Sequence, residues 1–217
     1  HFPRRTLSAE LSPAMSVRSF LRRNHAALRH LTRRWRLATG GVAVVEFAMV
    51  APAMVALYFA AAETAQGVLI SRKVTQLTRS LGDLTSQGIT ISSAEMNDIF
   101  QAARETMQPY AAPAPRMSIT SVVINNAGAA TVCWNETRNG MPGRATGSAV
   151  VLPTQLRVPG TSLIIARASY AFTPSIGHLI TGTIDIGNRD LYMRPRIGKR
   201  GGPQNIDQVE RVGSPMC

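Results

Sequence analysis

Between Val42 and Ala62 the chain runs for 21 residues in which Glu46 is the one charged side chain. A helix of that length rises about 31 Å at 1.5 Å per residue, close to the thickness of a bilayer's hydrocarbon core. A secretory signal peptide has a shorter apolar stretch, of about 7–15 residues, and ends at a small-residue cleavage site. Here helical patterning continues past Ala62, so the run reads as a transmembrane helix.

Charge sets the orientation. Residues 1–40 hold nine arginines against one acid, Glu10, and so carry most of the net charge of +12. Such a block suits either nucleic acid or a cytoplasmic flank. Its place directly before the apolar run favours the flank. Six arginines occupy the 20 residues before Gly41, against three basic residues in the 20 after Ala62. By the positive-inside rule the N-terminus is cytoplasmic and the bulk of the chain lies outside. Met15 opens a self-contained basic leader, so residues 1–14 are read as lying outside the native start.

Two residues in the span are irregular. A charge near the middle of a membrane helix costs on the order of 3 kcal/mol, and less at one turn from the edge, where Glu46 sits. Glu46 either snorkels to the headgroups or has a partner. Pro52 removes a backbone hydrogen bond and favours a kink.

The order is a basic leader, Gly41, "VAVV", Glu46, Phe47 and a long apolar helix broken by proline. This arrangement resembles a type IV prepilin, and the run from Gly40 to Leu84 is similar to the N-terminal segment of TadE-like proteins, minor pseudopilins of the tight adherence (Tad) pilus. "YMRPR" and the final cysteine add a weaker likeness. The resemblance implies that a prepilin peptidase cuts between Gly41 and Val42. It also implies that Glu46 then pairs with the N-terminal amine of a neighbouring subunit, so that the acid acts as a docking device. The chain differs from the major Tad pilin, which has Glu-Tyr where Glu46-Phe47 stands and lacks a large C-terminal domain. It also lacks the Asp-x-Ser-x-Ser metal pattern of TadG-type proteins at "DLTSQ" (Asp83). The implied partners are the inner membrane, the prepilin peptidase, other pilins or pseudopilins and the Tad assembly machinery.

Beyond Glu63, Val74, Leu77, Leu81 and Leu84 form a helical stripe, which extends the first helix to Gln87-Gly88. The stripe packs either on the chain's own domain or on a neighbouring subunit. "SSAEMNDIFQAARETM" predicts a second helix with a Ser92–Glu95 capping box and an apolar face of Met96, Ile99, Phe100, Ala103 and Met107, ended by Pro109. "AAPAPR" is a stiff linker. "RMSITSVVINN" and "ATVCWNE" flank a hairpin turn at "NNAG". "TSLIIARASYAF" and "HLITGTIDI" read as strands, and "RDLYMRPRI" as an edge strand that tolerates Pro195.

The expected fold is therefore α+β and pilin-like: one transmembrane helix continuing into an amphipathic helix, a second helix, and an antiparallel sheet of about four strands. The expected divisions are a leader (1–41), a membrane helix (42–62), an external domain (63–197) and a loosely ordered tail (198–217).

Cys133 and Cys217 both lie outside the membrane in this topology, where conditions are oxidising, so they are expected to pair. The alternative is two unrelated thiols. Enzyme signatures are missing: there is no His-Glu-x-x-His, Cys-x-x-Cys or Walker A pattern. His178 is the single external histidine in this topology, and a lone histidine is more often structural. The "NET" sequon at Asn135 is of a kind that arises often by chance. No cofactor, metal, nucleic acid or small-molecule substrate is expected, and no enzymatic activity.

Overall fold

A computed structural model describes residues 40–110, 112–175 and 182–217. The basic leader, His178 and the first half of the expected "HLITGTIDI" strand lie outside the described residues. The chain divides into two compact units, ending and beginning at Leu57 and Tyr58. What is described of the first is helical throughout and exposed from Gly41 to Leu57 except at Ala51, which is half-buried.

Helix α1 spans Gly40–Gln87 and includes Pro52 without a break in its helical assignment. Proline lacks the amide that would bond the Ala48 carbonyl, a loss that membrane helices tolerate. In the second unit one face of α1 becomes buried from Ile70 onward, through Val74, Leu77 and Leu81. The face continues through Thr78 and Thr85 rather than Leu84, which is half-buried. At 100° per residue Leu84 and Thr85 lie about 50° to either side of the Ile70–Leu81 line, and the buried arc extends to the side of Thr78, Gly82 and Thr85. Burial of these threonines is tolerable because their hydroxyls donate to the Val74 and Leu81 carbonyls, at 2.8 and 2.7 Å.

A two-residue strand, β1 (Thr90–Ile91), leads into α2 (Ser93–Glu105). Ser92 caps α2 with the full reciprocal box: its hydroxyl accepts from the Glu95 amide, and the Glu95 carboxylate accepts from the Ser92 amide at 2.7 Å. Met96, Phe100, Ala103 and Met107 are buried, and Ile99 packs beside them.

Five antiparallel strands form the main sheet: β2 (Arg116–Ile124), β3 (Ala130–Arg138), β4 (Thr161–Phe172), β5 (Ile184–Gly187) and β6 (Leu191–Met193). Their order is β3–β2–β4–β5, with β6 also pairing along β4. The β2–β3 turn is closed by Gly128, whose amide donates to the Asn125 carbonyl (2.9 Å) at φ +81°. One face of the sheet packs on the helices through Met117, Ile119, Ile164, Ala166 and Ala168. On the other face Val122, Ile124, Leu163 and Ile165 are covered by Leu152 and Leu156 from the long β3–β4 connection. Central strands covered on both sides explain why "VVI" (122–124) and "LIIA" (163–166) are continuous apolar runs rather than alternating ones.

Two glycines let α1 approach the sheet closely. A Cβ on Gly82 would lie 3.0 Å from Met193 Sδ and 3.3 Å from Ala166 Cβ. Gly187, at φ +103°, sits under Val74, where a Cβ would come within 2.6 Å of that side chain.

The tail is not loosely ordered, contrary to the sequence expectation. Residues 198–217 supply β7 (Lys199–Gly201), β8 (Ile206–Gln208) and β9 (Glu210–Arg211), with β7 and β8 forming a hairpin. β9 pairs in parallel with β1. Ile206 and Val209 join the main core. The glycines and Asn205 of this segment are turn formers: Gly202 (φ +73°) and Asn205 (φ 50°) make the β7–β8 bend.

Candidate functional site

Gly41, Val42, Glu46 and Phe47 all lie on the exposed first turns of α1. Val42 and Glu46 are four residues apart, which stacks them on one face about one turn apart. Among the described residues nothing lies within 4 Å of where a Gly41 side chain would project. Packing therefore gives no reason for glycine there, although glycine costs a helix about 1 kcal/mol relative to alanine. Phe47 is 69 % exposed. Among the described residues Glu46 makes no hydrogen bond or ion pair. α1 is long and apolar enough to cross a membrane.

The second unit's α+β part, the head, is held by polar clusters that sequence reading missed. Asp190, in the β5–β6 turn, accepts from Arg144 Nη2 (2.7 Å) and Arg167 Nε (2.8 Å), pinning the β3–β4 connection to β4. Burial pushes the Asp190 carboxyl up, but hydrogen bonds and charge from the two arginines outweigh it, leaving the group below its ordinary range. Arg211, whose side chain is 9 % exposed, pairs with Glu136 (3.0 Å) and donates to the Ile91 carbonyl and to Ser93 Oγ. It thereby ties the tail to β1, α2 and β3. Asp83 and Arg196 form an ion pair between α1 and the segment after β6. Each cluster joins elements distant in sequence, which is a structural role.

Cys133 and Cys217 are joined as a disulfide, with Cα atoms 5.6 Å apart. Gln208, buried beside them, takes the Cys217 amide on its Oε1 (3.3 Å) and donates its Nε2 to the Cys217 carbonyl (3.1 Å). Trp134 Nε1 donates to the Val209 carbonyl at 2.9 Å. The Asn135 side chain accepts from Thr120 Oγ1 (2.7 Å) within the sheet, so the sequon side chain is engaged in the fold.

Residues 41–80 match the family model described as TadE-like protein. The chain carries a TadE-like segment. The match covers the exposed N-terminal half of α1 and the start of its buried face, and it points to a Tad pilus-related membrane protein. No match was found among curated proteins or among solved structures.

Proposed function

We propose that the protein is a membrane-anchored minor pseudopilin that helps to build a Tad pilus. α1 anchors it in the bacterial inner membrane, with the leader cytoplasmic and the α+β head outside. The observation that carries this reading is the TadE-like segment, in which Glu46 stands one turn beyond Val42, the residue after a glycine that no packing contact among the described residues requires. A prepilin peptidase cuts between Gly41 and Val42, and the new amine at Val42 opens the helix. Glu46 is then a carboxylate in a low-dielectric layer, where an unpaired charge is costly and an opposite charge is strongly attracted. The ammonium group of an adjacent pilin or pseudopilin satisfies it, so the burial penalty sets the register of assembly. Phe47 and the apolar residues around it supply the lipid- and helix-facing surface.

The test is Glu46→Ala in the native bacterium. The variant inserts and is processed, because neither step uses the carboxylate, but piliation falls sharply. Normal piliation with Glu46→Ala would remove the docking role.

A further inference from the structure

Two ridges of unpaired charge face away from the sheet. Arg72 and Arg79 stand seven residues apart on α1, which puts them on one side of the helix, about 20° and about 10 Å apart. That side is opposite the buried line of Ile70, Val74, Leu77 and Leu81, and both arginines are exposed. On α2, Asp98 and Glu105 repeat the spacing on the side opposite Met96, Phe100 and Ala103, and both are exposed. Among the described residues none of the four makes a hydrogen bond or an ion pair. Each other acidic side chain from Glu63 onward has a partner within the chain. Neutral residues separate the charges, Gln76 on α1 and Gln101 and Ala102 on α2. Arg104 stands about 100° round α2 from Glu105, off the ridge.

The two ridges also match in level. Gly82 lies on Ala166 and Gly67 near Phe172, so α1 runs opposite to β4. Ser93, at the start of α2, is held by Arg211, which pairs with Glu136. Further along α2, Asn97 accepts from Arg138 Nη2 (2.6 Å), and the same guanidinium lies over the Phe100 ring. Through β2, Glu136 is level with Ala166 and Arg138 with Ala168. α2 therefore starts at the level of Gly82 and runs opposite to α1. Measured from that level at 1.5 Å per residue, Arg79 lies at about 4.5 Å and Asp98 at about 7.5 Å, Arg72 at about 15 Å and Glu105 at about 18 Å. Both helices cover one face of the sheet, α1 over β4 and β5 and α2 beside β3.

We propose that the head pairs with a second copy of itself about a two-fold axis parallel to α1, with Arg72 and Arg79 of each copy facing Glu105 and Asp98 of the other. The occupant is a second copy because the ridges agree in sign, spacing and level, and such an axis brings each α1 against the α2 of the other chain. Both α1 helices then run the same way. A two-fold contact closes on itself, so it joins two chains without starting a filament. Exposed ion pairs are individually weak, and symmetry makes each of these twice, so the association is modest and salt-sensitive.

Sedimentation equilibrium of the full chain in a neutral, density-matched detergent tests the pairing. The wild type should form dimers, and Arg79→Glu or Asp98→Arg should raise the dissociation constant about tenfold, since either change reverses two pairs at once. An equimolar mixture of the two variants should recover the wild-type affinity, because their altered charges complement each other, and the double variant should recover it too. Arg72→Glu and Glu105→Arg form a second set with the same expectation. A wild type that stays monomeric, or single variants that associate as it does, overturns the proposal. So does a mixture that remains as weak as its components in both sets. Assemblies that grow beyond the dimer mean a head-to-tail contact and overturn the two-fold arrangement. None of these outcomes bears on cleavage after Gly41 or on the role of Glu46.

Discussion

Replacing Cys217 with serine should cost the head about 4.5 kcal/mol. The bridge joins residues 84 apart. Loop-closure entropy for a loop of that size gives about 4.5 kcal/mol at 25 °C, acting on the unfolded chain. The folded state changes little, because the tail has other attachments. Val209 and Ile206 are buried, Arg211 is paired with Glu136, and the Gln208 amide still holds the backbone of residue 217. Cys133, at 1 % exposure, remains as a small apolar residue. The assay is urea unfolding of the full chain in detergent, followed by near-ultraviolet circular dichroism. With a urea dependence of about 2 kcal/mol per molar, the midpoint should fall by about 2 M. Cys133→Ala/Cys217→Ser should unfold near the single variant, since both remove the same constraint. Equal midpoints for Cys217→Ser and the oxidised wild type would refute the reasoning, because the cross-link would then contribute nothing to the unfolded ensemble.

Two further outcomes follow from packing and charge. Gly82→Leu forces side-chain atoms against Met193 and Ala166 and should destabilise by about 1–3 kcal/mol in the same assay; an unchanged midpoint would show that α1 does not lie so close to the sheet. Asp190 has a depressed folded pKa, so its contribution is fully present above the ordinary aspartate value of about 3.9 and is lost as pH falls below it through the folded value. Thermal melts of wild type and Asp190→Asn should differ most near neutrality and draw together as pH falls below about 3.9; a gap that stays constant as the solution is acidified would count against the Arg144–Asp190–Arg167 cluster as the source.

Features with local causes were legible in the sequence. The length of α1, the Ser92–Glu95 box and the "NNAG" turn each depend on residues within a few positions of one another, and the structure has all three. The α+β class followed from those elements. The misreadings concern partners far away in sequence. Leu84 continued an apolar spacing, but the face that packs is completed by Thr85, whose hydroxyl is satisfied within its own helix. The tail looked unstructured because its glycines, prolines and polar side chains outnumber its apolar ones. Its order comes from Thr90, paired with Glu210 across 120 residues, and from the Glu136 partner of Arg211. Such pairs leave no periodic trace.

The central claim is that Glu46 serves a helix whose amino terminus is created at Val42. Mass spectrometry of the protein extracted from native membranes tests it directly. The account predicts a mature form beginning at Val42, with Glu46 as its fifth residue. A mature form that keeps the arginine-rich residues ahead of Gly41 would contradict it.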